Sequence, residues 1–496
     1  MAWGGTMVGV ISASNKTPLT IGTGNREMHP VLLSIANIEQ SVCMRAMSSS
    51  FVLMAYLPIP KFINVTPPVK ATLAAWVYHS CITIVTEKLQ QACHDGIRMS
   101  DPQGHTRICY TPLISWIANL LEQRLIVGIL QNRSPVSLAT SDHFGDGPGD
   151  EGWPYPRWDC DGTLQLIHWA VTQTDPSNIP AFVRTCEPLG LIGMHQPFWQ
   201  NWGRPLPENN MLMACPSYFL TPDALHQWHK FFFNHPLKWA INIMTRDELD
   251  RWLATLQPHV GEQHFKNGIS KLKQVTGCEH RKLQKVFIAV IAGAVPPCVL
   301  SLMRAIQEFI YMAQSLLFYN EHLSSLEVAH WEFHTTKSAI YNAGGRLGKH
   351  GPINHWNIPK LKLVNAVHQS IIWMGALMSL PIRYSPMAFY FCLSIVFLTP
   401  QVFQHLPRRC DLLRPSCDHH WLYPIPIAPS VQYHVRDLAY DLQTTSLHFP
   451  FLVSSLLPDA FFRGLTNHRS SHHAIRTLPY VSPHTNLVLI LLIVCI

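Results

Sequence analysis

A chain of 496 residues has ample material for a hydrophobic core and for more than one domain. Apolar residues make up 47% and charged ones 14%, which is low for a soluble enzyme, and a formal charge of +7 permits a nucleic-acid partner without arguing for one. The 13 cysteines include no C-x-x-C pair, so neither a zinc ribbon nor a disulfide framework is expected, and the thiols suit a reducing compartment.

The opening MAWGGTMVGVIS has no basic start and no clean apolar run, so no secretory signal is expected, and the sequons at Asn15, Asn64 and Asn132 carry little weight. Residues 6–14 and 29–36 read as strands joined by a polar, Gly-rich link. Residues 70–93 place Leu73, Trp76, Val77, Ile84 and Leu89 at helical spacing. Residues 107–118 read as a third strand that runs into EQRLIVGIL, a helix or a strand. Residues 141–165 are a loop rich in Gly, Pro and Asp, within an irregular linker over 141–220. From 221 the chain is helical: Thr221 can cap, Pro222 suits the first turn, and Asp223 meets the positive end of the dipole. Further helices are expected over 245–256, 280–293, 297–318, 322–343 and 359–376, broken by GAVPP and GGRLGKHGP. The domains expected are thus a β-rich front (1–140), the linker (141–220), an α-helical region (221–375) and a tail (376–496).

The texture changes at the tail. From Ala376 to Ile496 there is no lysine and no glutamate, while proline, serine, leucine and histidine take over. Lysine and glutamate are the usual cover of helical surfaces. Two readings fit: a Pro-rich, weakly structured or membrane-associated extension, or a stretch read from DNA that no longer encodes the original domain end. The second is the expectation. Membrane spanning is not expected, since the apolar runs at 387–398 and 487–496 fall short of the roughly 20 residues a spanning helix needs. Cys410, Cys417, His419 and His420 fit no common zinc spacing.

The stretch TPDALHQWHKFFFNHPLKW (221–239) concentrates histidine and aromatic residues. Asp223 and His226 share a helical face, which allows a metal or acid–base role, or only an N-terminal charge beside a stacked imidazole. Trp228, Phe231, Phe232, Phe233 and Trp239 are most simply core.

That stretch, with GISKLKQVTGCEHRKLQKVFIAVIAGAVPP and GGRLGKHGPINHWNIPKLKLV, resembles the Plavaka group of fungal transposases, CACTA-like cut-and-paste enzymes. GVISASNKTPLTIGTGNREMHPVLLSIANI resembles the family's opening strand and hairpin, and CYTPLISWIANLLEQRLIVGIL its second strand block. The resemblance runs over about residues 8–375. It implies an α/β fold: a ribonuclease-H-like core with a large all-α insertion, here degenerate and followed by a Pro-rich, poorly structured tail. In the intact family three carboxylates hold two Mg²⁺ or Mn²⁺ ions for phosphoryl transfer. The resemblance also gives Asp223 and His226 the place of an Asp-x-x-His pair that orders the insertion.

This chain departs from that pattern. Asn15 stands where the first aspartate is expected and Asn119 where the second is, followed by Glu122 and Gln123. The third carboxylate should follow the last helix, where no glutamate remains, and the family's cysteine pair after the second strand block is missing. No intact catalytic site and no cofactor are therefore expected. The expectation is a transposon-derived, nuclear or cytoplasmic chain without DNA cleavage or strand transfer, poorly soluble, and in contact with DNA only weakly and non-specifically. One alternative is a non-catalytic DNA-binding protein using Lys266, Lys271, Lys273, Arg281, Lys282 and Lys285, with Arg346, Lys349 and Lys360 nearby. The other is a membrane-associated protein using the apolar tail segments.

Overall fold

The computed structural model describes residues 5–377 apart from short stretches at 20–25, 44–49, 102–103, 206–210, 221, 223–227, 261 and 270–276. The tail expected from 376, its first two residues aside, lies outside the described residues.

Four strands form the central sheet in the order β3-β2-β1-β4: β1 (Val10–Ser14), β2 (Pro30–Ile35), β3 (Val52–Tyr56) and β4 (Leu113–Ile117). β2 runs antiparallel to both β1 and β3, whereas β4 runs parallel to β1. A parallel neighbour needs a long crossover. Helix α1 (Pro67–Asp95) supplies most of it, starting on paired prolines after Thr66 and stopping at Gly96, whose φ of 78° suits glycine alone. The single strand expected over 107–118 is two. Thr106–Tyr110 joins a separate sheet with Thr6–Met7 and Ile97–Ser100, and β4 starts after Pro112. Proline has no N–H for a ladder, so the break falls there.

Alternation along the strands sends side chains to two cores. Val10, Val31, Leu33, Met54 and Trp116 pack with α1 and with α2 (Leu120–Val127). Ile11, Ala13, Leu32, Leu53 and Ile117 face the opposite way, onto Trp228, Phe231, Phe232 and the helices that follow. Both faces of the sheet are therefore covered, as a strand with a parallel neighbour requires, and β1 is buried over its whole length.

Residues 141–220 are less irregular than expected. After a loop, α3 (Cys160–Gln173) and α4 (Ile179–Cys186) bury Ile167, Ala170, Phe182 and Cys186 in the core that holds α1. Asp159 caps α3 by accepting from Gly162 N–H at 3.0 Å, and Asn178 caps α4 by accepting from Ala181 N–H at 3.4 Å. The expected helical region is mostly helical, with elements at Pro236–Met244, Arg246–Thr255, Gly277–Ile291, Pro297–Met312 and Asn320–Thr336, but Leu347–Gly348 and Gly351–Pro352 form a small hairpin and the helix expected over 359–376 is two, Pro359–Val364 and Val367–Met374. Among the described residues no helix is long and apolar enough to cross a membrane.

Candidate functional site

Parallel strands end at the same edge of a sheet. The register Ala13↔Ile117 carries the chain, two residues further on each side, to Asn15 and Asn119. These two residues, far apart in sequence, meet: the Asn119 side-chain N–H donates to Asn15 Oδ1 at 2.5 Å. Asn119 is also the N-cap of α2, its Oδ1 accepting from Glu122 N–H at 3.0 Å. Both asparagines are half-buried. Beside them Lys16 pairs with Glu27 at 2.7 Å on the exposed surface.

One turn into α2 lies a buried carboxylate. Glu122 is 5% exposed, and its Oε1 accepts from the Ser14 hydroxyl, from His29 Nε2–H at 2.8 Å and from Tyr78 O–H at 3.4 Å. Trp116 Nε1–H in turn donates to Ser14 Oγ at 2.8 Å. One oxygen thus ties together β1, the start of β2, α1 and α2. Burial, then the Glu122 charge, push the Tyr78 phenol well above its usual range, so it stays protonated and donates. Sequence reasoning placed Glu122 only as a neighbour of Asn119. A glutamate in a helix's first turn reads as a solvated dipole partner, and nothing in its spacing announces burial.

The histidines of the 221–239 stretch divide. Asp223 and His226 lie outside the described residues. Buried His229 donates through Nδ1 to Gln284 Oε1 at 2.8 Å, which spends that nitrogen on core packing. His235 sits against Phe231 and Trp239, and burial, helped by Lys360, Arg346 and Lys238, lowers it to about 3. Trp228, Phe231, Phe232 and Trp239 are core, and Phe233 is partly buried and stacks on His280. Of the expected basic patch, Lys266 is exposed, Arg281, Lys282 and Lys285 lie on one helix, and Lys271 and Lys273 lie outside the described residues. Lys285 is paired with Glu262 at 2.6 Å.

A second polar cluster was not expected. The loop before α3 is held down by the Asn320–Thr336 helix and by the segment 359–365. Asn365 donates to Asp146 O at 2.8 Å and accepts from His330 Nε2–H at 2.7 Å. Lys337 Nζ donates to Gly145 O at 2.5 Å and to His334 Nδ1 at 3.3 Å. Lys362 Nζ lies 4.0 Å from the Tyr155 ring centre and 5.0 Å from that of Trp153. The Gly147 backbone comes so close to His334 that a Cβ would stand 2.1 Å from its ring. Burial lowers His330 to about 4 and His334 to about 2, so both are neutral at pH 7. The cluster is a clamp built from internal contacts.

Among the described residues no group of His, Cys, Asp or Glu has the arrangement of a metal centre. Residues 2–240, which include both asparagines, the four-stranded sheet and Glu122, match the family model described as Plavaka transposase. No curated protein matches the chain.

Proposed function

Because the chain is a Plavaka-type transposase-like protein over residues 2–240, we propose that it keeps a ribonuclease-H-like scaffold but neither cleaves DNA nor transfers strands. The order β3-β2-β1-β4, with only the β1–β4 pair parallel, supports the scaffold. The observation that carries the loss of chemistry is the Asn119–Asn15 hydrogen bond at 2.5 Å.

Charge distinguishes the two kinds of side chain. Two carboxylates in contact repel each other, and a divalent cation between them relieves that repulsion while they offset its dehydration. Two amides need no cation, because one supplies the donor and the other the acceptor. The residues at these positions therefore do not suit Mg²⁺ or Mn²⁺. The nearest carboxylate in sequence, Glu122, is committed to Ser14, His29 and Tyr78. Releasing it would take away the acceptor at which these buried donors point.

DNA contact through Lys266, Arg281 and Lys282 is what remains to such a chain. With Lys285 neutralised by Glu262, the contact is weak and dies away between low and moderate salt.

The test is a plasmid-nicking assay with the full chain in Mg²⁺ and in Mn²⁺, run beside Mn²⁺ titration calorimetry. No nicking is expected, and the double variant Asn15→Asp/Asn119→Asp should bind Mn²⁺ on the order of tenfold or more tightly than the parent. Metal-dependent nicking by the parent chain, abolished by EDTA, would overturn the reading.

A further inference from the structure

Two cysteines that are 55 positions apart in the sequence stand against each other outside the site above. Cys160 is the first residue of α3, and Cys215 opens the short helix Pro216–Phe219. Their segments are tied reciprocally. The Cys160 sulfur lies 3.7 Å from Ala214 O, and the Cys215 sulfur lies 3.4 Å from Trp158 O. The two sulfurs also lie close enough to act on each other electrostatically. Ser217 completes the contact, with its Oγ 3.2 Å from Cys215 Sγ and donating to Trp158 O at 2.7 Å. Arg157 bonds Ser217 O and brings its guanidinium into the electrostatic reach of Cys215.

The two sulfurs are not equivalent. Cys160 is buried, and its interaction with Cys215, then burial, push its thiol up. Cys215 is partly exposed, and its interaction with Cys160, then with Ser217, pulls its thiol down despite partial burial. The accessible sulfur is thus the one favoured as the thiolate, next to a resolving partner, which is the arrangement of a redox-sensitive pair.

We propose that Cys160 and Cys215 are a reversible disulfide site, closed by a hydroperoxide and opened by a thiol reductant. The Cys215 thiolate attacks a peroxide oxygen. The S–O bond forms, the O–O bond breaks, and the leaving hydroxide takes up a proton to become water. Cys160 then attacks the sulfenic sulfur. The S–S bond forms and the S–O bond breaks, and the departing hydroxide takes the Cys160 proton as a second water. The two thiols lose two electrons and two protons in total, and one hydrogen peroxide becomes two waters. Closure joins, by a bond of about 2 Å, sulfurs on two segments already tied to each other. It pins the segment that runs through Leu220, which bridges to Trp116 of β4, four residues past the short helix's start.

The experiment treats the reduced full chain with a small excess of hydrogen peroxide, alkylates the remaining thiols and maps peptides by mass spectrometry. The expected result is a Cys160–Cys215 linked peptide that disappears with dithiothreitol, a higher melting temperature for the oxidised chain, and Cys186 recovered alkylated. Burial pushes the Cys186 thiol up to about 11, which keeps it unreactive. In Cys160→Ser, Cys215 should be trapped by dimedone as a sulfenic acid. Recovery of both Cys160 and Cys215 as alkylated thiols, under peroxide that oxidises exposed Cys298, would overturn the proposal. So would linkage of either one to a different cysteine. The wild-type map decides this even if the serine variant fails to fold.

Discussion

Asn119 and Glu122 stand one helical turn apart at the start of α2, in surroundings that make opposite demands. The rim, where Asn119 meets Asn15, is half-buried, and its polar groups satisfy one another without charge. The layer beneath holds a carboxylate among Ser14, His29, Tyr78 and Trp116, all but sealed from water. A charge at the rim would serve a ligand, and the fold stands without it. The charge beneath serves the fold, because each donor pointed at it would otherwise be orphaned. The fold can therefore do without a charge at the rim, but it cannot lose the one beneath.

Acid should have the largest effect, because it strikes the deep layers and leaves the amides untouched. Burial lowers His79, His280 and His330 to about 4 and His334 to about 2. Their folded values lie below the unfolded value of about 6.5, so the stability they give is full above that pH. It is lost as pH falls towards the folded values. At pH 5 each imidazole costs about 2 kcal/mol, the same order in total as a whole domain's stability. Urea melts at pH 7 and pH 5 should show the midpoint collapsing, whereas a midpoint that barely moves would mean these rings are not held neutral.

Next in size is Glu122→Leu. Removing one partner from a buried charged network costs about 3–5 kcal/mol. The full chain should lose most of its cooperative unfolding, read by circular dichroism. Glu122→Gln, which keeps the shape and one acceptor, should fall between the two. A Leu variant as stable as the parent would erase the distinction between rim and depth.

The strands and the helical region could be read ahead of the structure because they announce themselves by period: Val10, Val31 and Leu33 alternate with Ile11 and Leu32, and α1 repeats its apolar positions by turns. The meeting of Asn15 with Asn119 came from resemblance alone, since no local pattern links residues that only a parallel register brings together. The helices α3 and α4 were missed because the Gly, Pro and Asp before them read as continuing loop. Asp159 and Asn178 turned out to be helix caps. The clamp of His330, His334, Lys337 and Lys362 was missed for a different reason. On a helix these residues look like a solvated face, and only the loop folded over them makes them interior.

Charging the rim should sharpen the contrast. In Asn15→Asp/Asn119→Asp two carboxylates replace one hydrogen bond, and at about 4 Å near a surface their repulsion is of the order of 1–4 kcal/mol. The double variant should melt below the parent in EDTA and regain much of the loss in millimolar Mn²⁺, while the parent ignores the metal. Equal melting of both proteins with and without Mn²⁺ would mean that charge at this edge does not recruit a cation.

The smallest effect separates the two jobs of Asn119. Its Oδ1 caps α2 through Glu122 N–H, and its amide N–H bonds Asn15. Asn119→Ala removes both, and loss of a cap alone costs about 1 kcal/mol. Asn119→Asp keeps the cap acceptor, adds a negative charge at the positive end of the helix, and gives up only the donor to Asn15. The alanine variant should therefore unfold about 1 kcal/mol earlier in urea at pH 7, with the aspartate variant close to the parent. If the two lose equal stability, the bond to Asn15 and not the cap holds the start of α2. The amide pair would then be a structural contact that holds the sheet's edge to the start of α2.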